Sequence, residues 1–252
     1  CEWMKFSPVE TKFVTLYARN TKFGVKVRRV SFINFYRPQR NETNFRSSDS
    51  ELNKLWEIGR NIQRTSIRRV TMDTPGSRQK TYLIDAYMQS VCAASVFGDY
   101  DLSEKMMRSF AACQYENGDI PALAQGHDNR SQIDHLFLFP VWLLWHFKWT
   151  GNWNLLHDML PHLDLLFEFL VSLRDEDTML LSDLPPEIFA VSHLSQRELR
   201  NGGTSTAINA LYCRFLLSSR EVNELAQRYD VAERCIDEAS TLGASLMKVA
   251  YD

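Results

Sequence analysis

The stretch Ser48-Asp49-Ser50-Glu51-Leu52-Asn53-Lys54-Leu55-Trp56 marks a change in the period of the chain. Ser48 and Glu51 have the spacing of a capping box, in which hydroxyl and carboxylate each satisfy a free N–H at a helix start. Beyond it Leu52, Leu55, Trp56, Gly59 and Ile62 repeat on one helical face, which is expected to meet the core. Before it the period is two. Residues 12–17 and 26–36 are β-branched and aromatic with partial alternation, and predict two strands joined across Asn20–Gly24. Two strands alone are marginal in water, so they should belong to a larger sheet or lie on the helical body.

Downstream the helical period continues. A link at 70–80 contains Asp73-Thr74-Pro75-Gly76 and leads to a helix with Ile84, Tyr87, Met88 and Val91 on one side, ending at Gly98. The next helix is predicted over 101–115 and ends at Asn117-Gly118. After a loop at 119–130, residues 131–150 are apolar nearly all round and predict one helix buried on both sides. Residues 152–173 repeat Leu155, Leu156, Met159, Leu163, Leu166, Phe167 and Leu170, with Pro161 opening a second part. Residues 174–203 form a long loop, and loops of that length usually carry function. Two further helices follow, over 204–229 and from Asp230 onward. The fold class is mainly α: about seven helices in antiparallel hairpins behind a short N-terminal β segment.

The 252 residues, 44% hydrophobic and 24% charged, suffice for a substantial core. The longest apolar run, 136–145, is half the roughly 20 residues of a membrane-spanning helix, so no span is expected. Lys and Arg are in excess before residue 80, Asp and Glu after it. The basic residues are scattered without a nucleic-acid motif, so contact between the two parts of the chain explains the asymmetry better than nucleic-acid binding. Five cysteines cannot all pair and form no CxxC; Cys92, Cys113, Cys213 and Cys235 fall in predicted helices and read as free buried thiols.

There is no Gly-rich phosphate loop, Walker lysine, nucleophile elbow or HExxH, and the six histidines lack ligand spacing. No cofactor and no metal are expected. What remains is a set of carboxylates on links between helices: Asp73, Asp85, Glu116, Asp119, Asp128, Asp134, Asp183 and Glu187. Helix barrels gather such links at one rim, and sugar hydrolysis needs a protonated carboxyl on one side of the bond and an ionised one on the other. Taken singly, each is better explained as a helix cap or a surface charge. Trp142, Trp145, Trp149 and Trp153 offer rings that could stack on a sugar, though most of them are better explained as core.

The order and spacing of several motifs resemble the six-hairpin domain of bacterial α-L-rhamnosidases, glycoside hydrolase family 78. The likeness lies in residues 47–56 followed by Asp73-Thr74-Pro75, and in Tyr82-Leu83-Ile84-Asp85 where the family has aromatic-x-Gly-Asp. It continues in Gln114-Tyr115-Glu116-Asn117-Gly118-Asp119-Ile120-Pro121, in Asp134 ahead of a helix ending Thr150-Gly151-Asn152, and in Thr206-Ala207-Ile208-Asn209-Ala210-Leu211-Tyr212. The resemblance implies an (α/α)6 toroid of helix hairpins over 46–252, here partial, and the end of a β-sandwich over 1–45. It also implies inverting hydrolysis of a terminal deoxy-sugar glycoside, with Asp73 and Asp85 as catalytic candidates. Tyr82, Asp134, Asp183 and Glu187 become candidate sugar-binding residues.

Two departures bear on this. Five residues after its first Asp the family carries its general-acid Glu; here that position is Arg78, which stays charged and cannot donate a proton. The family's general base lies far downstream, and about seven helices cannot close a ring of twelve. The alternatives are therefore a catalytically impaired carbohydrate-binding relative or a helical-hairpin interaction scaffold. An open arc would leave an apolar edge, so self-association or a longer parent chain is expected.

Overall fold

The computed structural model describes residues 13–33, 43–67, 80–124, 130–190 and 203–250. Among them the helices are α1 (Ser50–Ser66), α2 (Leu83–Phe97), α3 (Asp101–Ala111), α4 (Ile133–Leu136), α5 (Phe139–Thr150), α6 (Trp153–Ser172), α7 (Thr206–Leu225) and α8 (Tyr229–Ala250). Two-residue strands β1 (Ser131–Gln132) and β2 (Ile188–Phe189) pair in parallel.

The start of α1 is one residue later than the capping box predicts. Asp49 is the cap, its Oδ1 accepting from the Glu51 N–H at 2.8 Å. Asn53 takes the reciprocal role: its Oδ1 accepts from the Ser47 N–H at 2.8 Å, and its Nδ2 donates to the Ser47 carbonyl. The Asp49 carboxylate satisfies an orphan N–H of the first turn, while the Asn53 amide grips the chain ahead of the cap at Ser47.

The predicted helix over 131–150 is broken into α4 and α5. Pro140 has no N–H to return to the Leu136 carbonyl, and α4 ends at Leu136. Pro161 does not divide α6, which runs on through it. Both Pro161 and His157, whose carbonyl loses its helical donor, are exposed, so water can take over that bond. The helix predicted over 101–115 stops at Ala111, and a non-helical turn carries the chain to Gly118.

Among the described residues three hairpins build the body: α2 on α3, α5 on α6, and α7 on α8, with α5 also packed on α7. Left-handed glycines close two of the turns, Gly98 after α2 and Gly151 after α5, both at φ 62°. The apolar face of α6 foreseen from the sequence is buried. Trp142 fills the centre, 5.9 Å from the ring of Tyr87 and 6.5 Å from Phe110, and its Nε1 donates to Ser103 Oγ at 2.8 Å. Phe137, Tyr212 and Phe215 make a second aromatic knot between α4 and α7. Trp149 and Trp153 are largely exposed. Four cysteines are free thiols: Cys235 is buried as expected, Cys113 and Cys213 are half-buried, and Cys92 is exposed.

Two expectations fail at the N-terminal side. Residues 13–33 form no strand and are exposed throughout, although Asn20 and Gly24 do take left-handed turn conformations. Strands need a partner ladder and a covered face, and the described helices offer neither to this segment. The face of α1 expected in the core is the other discrepancy. Of that face Leu52, Leu55 and Ile62 are 47–63% exposed, as is neighbouring Ile58, while Trp56 is half-buried with its ring 5.4 Å from Phe45; α1 meets α2 through buried Gln63, whose Nε2 donates to the Gln89 carbonyl at 2.7 Å. Among the described residues no helix is long and apolar enough to cross a membrane.

Candidate functional site

The links between helices are sewn together along one edge. Tyr82, the N-cap of α2, bridges antiparallel to Leu123, and the Ala124 N–H donates to the Thr81 carbonyl at 3.4 Å. That joins the link before α2 to the link after α3. The Ala122 N–H donates to the Arg130 carbonyl, folding the second link back on itself. β1 at the end of that link pairs with β2, the Ser131 N–H donating to the Glu187 carbonyl at 3.2 Å. The third link closes on the start of α7 through the Ser182–Thr204 bridge. The described parts of the three links that the sequence marks as loops therefore lie side by side on one rim.

The candidate residues fall on this rim unequally. Tyr82 is half-buried at the first seam, and Asp85 is half-buried in the first turn of α2 just beyond it. Asp134 is half-buried in the first turn of α4, two residues past β1. Glu187 lends its backbone carbonyl to the second seam while its side chain is exposed. Asp183 is exposed at φ 46°, in a tight left-handed turn beside the third seam. Asp73, Arg78 and Asp128 lie outside the described residues.

Asp119 is a rim carboxyl that sequence reading treated as one charge among many. It is 7% exposed, and Ser131 Oγ donates to its Oδ2. Burial pushes its pKa up, opposed by the hydrogen bonds from Ser131 and the Ile120 backbone. A carboxyl after Asn-Gly reads as solvated turn chemistry; only the tertiary fold buries it. The cause is Gly118, at φ 91°, where an added Cβ would stand 2.1 Å from the Leu165 carbonyl oxygen of α6. Gln114 fastens the same turn, its Nε2 donating to the carbonyls of Gly118 (2.8 Å) and His162 (2.9 Å).

The histidine beside Asp134 is also buried. Burial lowers the pKa of His135, with the Asp134 charge opposing the shift. His146, buried in α5, is likewise held low by desolvation, opposed by Glu104 and Asp101. Among the described residues no cluster of His, Cys, Asp and Glu could hold a metal ion.

The fold also occurs in known proteins. A rhamnosidase of glycoside hydrolase family 78 from Bacillus sp. GL1 superposes with a TM-score of 0.77 at 20% identity, over 86% of this chain and 22% of that one. A rhamnosidase from Klebsiella oxytoca, with rhamnose bound, matches with a TM-score of 0.68 at 16% identity, over 82% and 40%. An α-L-rhamnosidase from Streptomyces avermitilis, complexed with L-rhamnose, gives 0.64 at 16% identity, over 84% and 20%. The chain thus spans between about a fifth and two fifths of these proteins' length. Comparison with curated proteins finds no match. The bacterial alpha-L-rhamnosidase 6 hairpin glycosidase domain matches residues 40–179, a stretch that contains the first two links, β1 and the helices between them. With more than half of its length matched, the chain belongs to the family of bacterial α-L-rhamnosidase six-hairpin glycosidase domains.

Proposed function

We propose that this chain forms part of the sugar site of an inverting glycosidase acting on terminal deoxy-sugar glycosides of the α-L-rhamnoside type. The observation that carries the reading is the seam of links, which sets Tyr82, Asp85 and Asp134 along one rim of a glycosidase-family domain. In the inverting reaction one carboxyl protonates the leaving oxygen while another draws a proton from water on the opposite face. Asp73 and Asp85 hold sugar hydroxyls or share the acid role, with Tyr82, Asp134, Asp183 and Glu187 as binding residues. Arg78 beside Asp73 and Asp85 in sequence favours the second reading, a relative that binds the sugar without turning it over.

Titration with L-rhamnose, and turnover of an aryl α-L-rhamnoside whose leaving group needs little protonation, test both. The expected result is saturable binding of L-rhamnose that Asp134→Ala weakens about tenfold, the scale of one lost hydrogen bond to a charged group. Binding with aryl-glycoside turnover supports the glycosidase; binding without turnover supports the carbohydrate binder. Absence of both would refute the site.

The exposed face of α1 extends the same proposal to partners. Leu52, Leu55, Ile58 and Ile62 form an exposed apolar stripe of the kind that protein normally covers, with the rest of a longer parent chain or, for this chain by itself in solution, with a second copy. Light scattering at high concentration should give a mass above that of the monomer, and Leu55→Lys with Ile58→Lys should return it to the monomer. A monodisperse monomer before substitution would contradict this.

A further inference from the structure

We propose that Asp119 is a positioning residue, whose carboxylate holds β1 in register through the Ser131 hydroxyl and thereby places both Asp134 and the third link on the rim. The proposal rests on the sugar-site reading above for what is placed, but the clamp itself is a property of the rim.

Each step is geometric. The backbone of Asp119 is fixed from both sides: its N–H donates to Asn117 Oδ1 at 3.1 Å, and its carbonyl accepts from the Tyr115 N–H at 2.8 Å. Gly118, pressed against α6, fixes where that turn stands. The carboxyl then meets Ser131, the first residue of β1. From Ser131 the N–H reaches the Glu187 carbonyl, and Gln132 pairs with Phe189. Asp134 follows two residues later in the first turn of α4. One side chain therefore ties the α3–α6 side of the molecule to the element that carries Asp134 and to the strand that anchors 182–190.

The chemistry argues against a merely stabilising role. Only Oδ2 of the buried carboxyl has a well-formed hydrogen bond, from Ser131; the Ile120 N–H is near enough to favour the charged form, yet Oδ1 has no bonded partner of its own among the described residues, so the carboxyl is incompletely satisfied. An incompletely satisfied buried carboxyl contributes little to stability. Ser131 does not need it, because the Ile120 carbonyl lies 3.4 Å from its Oγ as a second acceptor. If Asp119 is removed, the serine hydroxyl turns to Ile120 and stays satisfied, and what changes is the direction in which β1 is held. Loss of placement with little loss of stability is the signature expected of a positioning residue.

The test uses the isotope-labelled chain with amide hydrogen exchange, urea unfolding and L-rhamnose titration read together. In Asp119→Ala and in Ser131→Ala, exchange of the β1–β2 amides, Ser131 foremost, should quicken about tenfold, as for a hydrogen bond left loose, while α8 is unchanged. L-Rhamnose affinity should fall by about the same factor; the urea midpoint should stay close to the original in Asp119→Ala and fall in Ser131→Ala, which leaves the buried carboxyl without its hydroxyl donor. Asp119→Asn keeps an oxygen that accepts from Ser131, so it should restore both exchange and affinity to within about threefold. Unchanged exchange in Asp119→Ala, or an asparagine variant no better than alanine, would overturn the clamp. If the unsubstituted chain binds no L-rhamnose, the sugar reading fails, and the exchange data decide the clamp by the same criteria.

Discussion

Replacing Gly118 with alanine should destabilise the protein by about 3 kcal/mol or more, the sum of a strained left-handed backbone and forced overpacking. Two independent obstacles meet at this position. At φ 91° a residue with a side chain is strained wherever it stands. The added Cβ would also stand 2.1 Å from the Leu165 carbonyl oxygen and 2.7 Å from its carbon, both backbone atoms of a long helix that cannot step aside. Relief requires the 115–119 turn to lift from α6. That breaks the Gln114 bond to the His162 carbonyl and the contact of His162 Nδ1 with Gln114 Oε1. Asp119 then loses its fixed backbone and, with it, its aim at Ser131. Urea unfolding should show the loss, and exchange at 114–119 should rise most. A variant within about 1 kcal/mol of the original would mean that the turn is free to move off α6. Gly98, also left-handed, makes a useful contrast: nothing lies within 4 Å of an added Cβ there, so Gly98→Ala should cost only the backbone part, about 1 kcal/mol.

The parts of the fold that were legible in the sequence are those decided by neighbours along the chain. Gly98 and Gly151 end helices because a left-handed residue turns the backbone out of the helix, and the apolar repeat of α6 buries the face it draws. The features that were misread depend on surfaces distant in sequence. Leu52, Leu55 and Ile62 have helical spacing whether or not a partner covers them, so periodicity announced a buried face that the described helices leave open. Residues 13–33 carry strand-forming side chains, yet a strand exists only where another strand accepts its bonds. The break after Leu136 had a local signal in Pro140, masked by the unbroken apolar run around it.

The site divides along the same line. Carboxyls on links, Asp85 and Asp134 among them, are visible from their position between periodic segments. Their neighbours could not: the pairing of Tyr82 with Leu123 and of Ser131 with Ile188 joins residues far apart in the chain through backbone groups that any residue supplies. Asp119 stood in the sequence as an ordinary turn carboxyl, and its burial follows from a glycine contact with α6 that no local pattern encodes.

Asn209→Ala should cost about 2–5 kcal/mol, because it leaves buried backbone groups of the third link without partners. Asn209 is fully buried in the first turn of α7, and its amide is matched to one residue of that link. Its Oδ1 accepts from the Leu181 N–H at 2.8 Å, and its Nδ2 donates to the Leu181 carbonyl at 3.1 Å and the Ser205 carbonyl at 3.0 Å. Leu181 is itself buried, so no water stands ready to replace either bond. Alanine orphans a donor and an acceptor together and opens a small cavity beside them. Asn209→Asp should be worse than alanine at neutral pH, since a carboxylate can accept from the Leu181 N–H but cannot donate to either carbonyl, and it buries a charge. The damage should be local before it is global. Exchange across 180–190 should rise first, then at β1 once β2 is released, while α8 keeps its protection until the whole chain unfolds. If the rim binds sugar, affinity should fall in step with exchange at β2, not with the urea midpoint. A loss below about 1 kcal/mol, or unchanged exchange across 180–190, would show that the third link is held by its short bridges to Arg174 and Thr204 rather than by the Asn209 amide.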